Sequence, residues 1–151
     1  GRELTLKIEE GTHLPAAFRD VETLLHGHLA GMGERTGLVA IATDRISAGI
    51  HGPERMKSAL AAAHEIGVRS SLIMTSGFDA DAALDDDLTP AGRIVVDVGR
   101  GLSAGTALLA SATPLQLLTE RMARMLGVNP DPIRRDDPRY LAAAAAASPA
   151  H

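Results

Sequence analysis

Lys7 and Glu10 are the first charged pair in this chain whose spacing suits chemistry. Set three apart on a helix, they share a face. They form either an ordinary surface ion pair or a carboxylate base with a cation beside it. Spacing alone favours the ion pair. His26-Gly27-His28 places two imidazoles two apart, with Glu22 nearby. A metal site usually takes three protein ligands, and no third stands at a telling spacing, so no metal and no cofactor is expected. Asp85-Asp86-Asp87 offers oxygen ligands, but not at a calcium-loop spacing, and reads as solvated loop carboxylates. Thr75-Ser76-Gly77 follows an apolar run, where open α/β sheets bind ligands, yet it is short and reads as a turn. Thr113-Pro114 reads as an ordinary helix start.

The elements that must position these residues follow from patterning. Glu3 to Glu10 reads as a helix with Leu4 and Ile8 on one face, stopped at Gly11. Thr12 to Phe18 reads as a short extended piece, weakened as a central strand by Pro15. Asp20 to Leu25 reads as a helical turn ending at His26-Gly27. Gly37 to Ala42, Val68 to Met74 and Arg93 to Val98 are apolar runs of the kind buried on both faces of a parallel sheet. Gly52-Pro53-Glu54 opens a helix, with Met56, Leu60, Ala63 and Ile66 as its apolar stripe and Gly67 as its stop. A loop or short helix covers Gly77 to Pro90. A last long helix centres on Pro114 to Leu126, with Leu115, Leu118, Met122 and Met125 on one stripe and Gly127 as its end. Strands alternating with helices predict an α/β fold, with a parallel sheet and helices on both faces. Three strands are few for such a sheet, which predicts that something before Gly1 is missing.

The chain has 151 residues, one domain's worth, with 45% hydrophobic and 23% charged residues. A packed core is therefore expected rather than disorder. The net charge of −4 argues against a nucleic-acid surface, which needs a concentrated Lys/Arg face. No apolar run is long enough for a membrane span. The absence of cysteine fits a reducing cytoplasm. The chain starts without Met or a visible leader, which predicts a fragment of something longer. The segment after Asn129 is a tail of prolines, Arg-Asp clusters and an alanine run, Ala142 to Ala147.

The stretch from Leu4 through Lys7, Glu10 and His13 to His26-Gly27-His28-Leu29-Ala30 resembles the second sugar isomerase (SIS) domain of glucosamine-6-phosphate synthase and its relatives. Thr113 to Leu118 resembles that family's Pro-Leu-Gln-Leu-Leu helix, and Asn129-Pro130-Asp131 its C-terminal tail. The three motifs fall in the family's order over nearly the whole chain. The resemblance implies a flavodoxin-like sheet and a second SIS lobe over residues 1–128 that lacks its first strand, with 129–151 as its tail. It implies aldose–ketose isomerisation, or deamination, of a hexose or amino-sugar phosphate by a cytoplasmic homodimer. Position by position, Glu10 falls on the glutamate that moves a proton between C1 and C2. Lys7 falls on a lysine of the same helix that offsets enediolate charge. His26 falls on the ring-opening histidine, which reaches into the neighbouring subunit's site. The family's tail lysine is absent, with Ala143 following the matching stretch. Arg134, Arg135 and Arg139 are the remaining tail cations for a phosphate. The Ser/Thr-rich phosphate loop of the first lobe has no equivalent here. The resemblance therefore implies an active parent with two lobes and a chain that is inactive alone. A sugar-phosphate sensor without turnover is the second expectation, and a structural lobe the third.

Overall fold

The computed structural model describes residues 1–42, 52–76, 78, 84–97 and 104–148. Gly77 and residues 79–83 of the predicted loop, and Val98 of the third predicted strand, lie outside these residues. The chain divides into two compact units, Arg19–Pro114 and Gly1–Phe18 with Leu115–His151.

The first unit holds the sheet. Strands β1 (Gly37–Ala42), β2 (Arg69–Thr75) and β3 (Arg93–Val96) pair in parallel in the order β1-β2-β3. The parallel α/β sheet is the predicted one. Helix α2 (Val21–His26) precedes β1, and helix α3 (Gly52–Glu65) crosses over to β2 and lies against β1 and β2. Gly67 ends the α3 crossover with φ 75, as a helix stop requires. Leu60, Leu72, Met74 and Phe78 centre the core, with Ala40, Ala42 and Leu84 around them. This core collects the predicted apolar faces of β1, β2 and α3. Ile66, predicted on the α3 stripe, lies past the helix end and is exposed. β3 also departs from expectation. It sits at the edge of the order, and Ile94 and Val95 are 40% and 49% exposed. Its apolar sequence therefore does not mark a strand covered on both faces.

The second unit holds helix α1 (Arg2–Thr12), the larger part of helix α4 (Ala104–Leu126) and helix α5 (Pro138–Ala147). Thr12 to Phe18 forms no strand among the described residues. Gly11 does not stop α1: it lies inside the helix, buried, and the left-handed cap is His13 at φ 60. The reason is packing. A Cβ on Gly11 would stand 2.9 Å from the Thr119 methyl of α4. Thr119 is itself buried, and its hydroxyl donates to the Leu115 carbonyl at 3.1 Å, which fixes the rotamer. Gly11→Ala therefore destabilises the fold by about 1 kcal/mol, because the clash outweighs the better helix propensity of alanine. Adding Thr119→Ser, which removes the methyl, recovers stability in a urea titration.

Pro114 is not a helix start. It stands inside α4, where it leaves the Ala110 carbonyl without its helical donor. The buried stripe of α4 runs through Leu115, Thr119 and Ala123, and Met125 is 87% exposed. Gly127, at φ 67, ends the helix as predicted. The alanine run forms α5, capped by the Asp137 carboxylate on the Arg139 amide at 2.9 Å. No helix among the described residues is long and apolar enough to cross a membrane.

Candidate functional site

Lys7 and Glu10 come together as the spacing on α1 predicts. Lys7 Nζ donates to Glu10 Oε2 at 2.9 Å. The side chains are 39% and 29% exposed, so each carries a charge at a half-covered surface that a ligand can reach. The hydrogen bond to Glu10 raises the Lys7 pKa above its ordinary value, with the carboxylate's charge as the second cause. Lys7 is accordingly a fixed cation at neutral pH. Of the two, only the carboxylate can act as a base there.

Two of the three tail arginines predicted to meet phosphate are committed locally. Arg139 donates through Nε and Nη2 to the two Asp137 oxygens at 3.1 and 2.7 Å. Arg134 lies 4.8 Å over the Tyr140 ring and donates to its hydroxyl. Arg135 is exposed. A shallow hollow of about 240 Å³ in the same unit is bordered by Glu120, Ala123, Arg124, Val128, Asn129 and Pro130. Its border includes none of the predicted site residues.

His26 belongs to the other unit and ends α2. That helix starts at Asp20, whose carboxylate accepts from the Thr23 amide at 2.9 Å. Glu22, one turn before His26, is gripped by Arg55 of α3. Arg55 Nε meets Oε1 at 2.7 Å and Nη2 meets Oε2 at 2.6 Å. His26 Nε2 lies 3.4 Å from the same Oε2. The Arg55 hydrogen bonds hold the Glu22 carboxyl below the usual range, and the Thr23 hydrogen bonds do the same for Asp20. Both groups bind protons less readily folded than unfolded. Their contribution to α2 is full above the ordinary carboxylate range and is lost as pH falls through their depressed values. The Thr23 amide should therefore exchange faster with solvent as pH drops below about 4, beyond the intrinsic acid trend.

The arginine fork occupies both Glu22 oxygens, which leaves the carboxylate poorly placed for a metal beside His26 and His28. Among the described residues no group of three His, Asp or Glu is arranged to hold a metal ion. The acidic run stays solvated, with the Asp85 and Asp86 side chains 73% and 99% exposed. Asp85 lies 3.6 Å from Lys57 and Asp86 3.4 Å from Arg93. Arg93 also donates to the carbonyls of Leu84 and Asp85. After β2, Ser76 Oγ donates to Asp97 Oδ1 at 3.3 Å, at the carboxyl ends of β2 and β3. Sequence reasoning missed Asp97 and Arg55. Arg55 stands 33 residues from Glu22, and no local pattern pairs them.

With this geometry in place, the chain proves similar to the C-terminal domain of glucosamine-fructose-6-phosphate aminotransferase from Francisella tularensis, at TM-score 0.63 and 23% identity. The chain has the fold of that domain. The likeness covers 84% of this chain and 32% of the other, so the chain spans about a third of its neighbour's length. No family model and no curated protein sequence matches the chain. The likeness supports the three-stranded parallel sheet and its helices as the core of that fold.

Proposed function

We propose that the chain is the second lobe of a cytoplasmic, homodimeric sugar-phosphate isomerase or amino-sugar-phosphate deaminase, with 1–128 as the lobe and 129–151 as its tail. The observation that carries this reading is the half-buried Lys7–Glu10 pair on α1, in a chain with the fold of an aminotransferase domain named for a sugar phosphate. Glu10 takes the proton from the carbon beside the sugar carbonyl and returns it to the neighbouring carbon, through an enediol. Lys7, a cation at neutral pH, offsets the negative charge that develops on the enediolate oxygen. His26, 76% exposed at the end of α2 and 3.4 Å from Glu22, reaches a neighbouring subunit and opens the sugar ring there.

The phosphate is held by a first lobe, since no Ser/Thr-rich phosphate loop stands in this sequence. Arg139 contributes at most a secondary contact, because Asp137 already claims it, and Arg135 is an exposed cation in the same tail. A second reading, a sensor that binds sugar phosphate without turnover, is favoured by one observation. The tail helix α5 carries Ala143 where the synthases carry a lysine.

Incubation of the two-lobed protein with fructose 6-phosphate, and separately with glucosamine 6-phosphate, distinguishes the two readings. Isomerised or deaminated product supports the enzyme. Binding without product supports the sensor and defeats the enzyme. The 151-residue chain alone should show no turnover, and activity from it would contradict the need for a first lobe.

A further inference from the structure

We infer that Glu22 is a positioning residue for His26, and that Arg55 locks Glu22 into that task. This rests on the reading of His26 as the ring-opening group. His26 ends a helix of six residues, and its side chain is 76% exposed. An imidazole so placed samples several rotamers, each of which points its nitrogens differently. Glu22 restrains it. The two residues are one helical turn apart, and Oε2 stands 3.4 Å from Nε2.

An exposed pair at that spacing is ordinarily weak, because both side chains lose freedom to form it. Here the carboxylate's freedom is already removed. The planar guanidinium of Arg55 meets both of its oxygens at 2.7 and 2.6 Å, in the fork geometry that fixes a carboxylate's plane as well as its position. Arg55 comes from α3, a helix packed on the sheet, so the restraint is anchored in the core rather than in the short helix. The order of contacts runs from α3 through Arg55 and Glu22 to His26. A carboxylate on one imidazole nitrogen selects the tautomer that carries its proton there and leaves the other nitrogen as the acceptor. Glu22 on Nε2 thus leaves Nδ1 to face a substrate.

The contact can be read without turnover, from the ring-nitrogen resonances of His26 in the full chain at about pH 8.5, where free imidazoles are neutral. A free neutral imidazole already favours Nε2–H, so the wild type should hold that tautomer more nearly exclusively, and both Glu22→Ala and Arg55→Ala should return His26 to the free-imidazole ratio. An unchanged tautomer ratio in Glu22→Ala overturns the inference. In the two-lobed protein with fructose 6-phosphate, Glu22→Ala should lower kcat about tenfold with little change in KM. It should add nothing further in a His26→Ala background, because the two act as one unit. A loss with His26→Ala but none with Glu22→Ala overturns the positioning role and leaves the isomerase reading standing. No loss from either overturns both.

Discussion

Replacing Glu10 by glutamine is expected to lower sugar-phosphate turnover by the two-lobed protein about a hundredfold or more. The substitution keeps the side chain's length and removes its capacity to take a proton. It also keeps an oxygen that can accept from Lys7, which now lies 2.9 Å from Glu10 Oε2. The helix should therefore survive, since the pair is exposed enough for its own contribution to be small. Substrate binding should change little, so the loss should fall on kcat. Turnover within a few-fold of wild type would remove Glu10 from the proton path.

Leu60→Ala should cost about 3 kcal/mol of stability. Leu60 has no exposed surface and lies in the cluster with Leu72, Met74 and Phe78, on the helix that covers β1 and β2. Truncation removes the buried methyl groups and opens a cavity that the parallel strands cannot collapse to fill. A fall of that size is a large part of a small domain's total stability. It should appear as a lower urea midpoint with an unchanged slope. The same change at Leu117, 58% exposed on α4, should be nearly silent.

The elements around these two sites differ in how far the sequence determines them. β1 was legible to the residue, because a short apolar run between polar stretches admits few alternatives. The start of α2 was legible within a residue, and the structure adds the Asp20 carboxylate as its cap on the Thr23 amide. Lys7–Glu10 was legible because both ends of the contact lie within one helical turn. Where the decisive contact is non-local, the pattern misled. Gly11 reads as a stop, and only the Thr119 methyl on another helix explains why it is interior. Pro114 reads as a start, because the small residues from Ala104 to Thr113 show no strong apolar period to carry the helix back through it. Ile94 and Val95 read as core, and their place at the sheet edge leaves them exposed. Arg55 could not be read at all, since its grip on Glu22 depends on how α2 meets α3.

Isotope exchange reports whether Glu10 carries a proton between adjacent sugar carbons. The two-lobed protein is incubated with fructose 6-phosphate in heavy water, and deuterium at C1 and C2 of the recovered sugar phosphates is followed by NMR. Deuterium is expected at those carbons with the wild type and essentially none with Glu10→Gln. No exchange by the wild type, or equal exchange by both proteins, would contradict it.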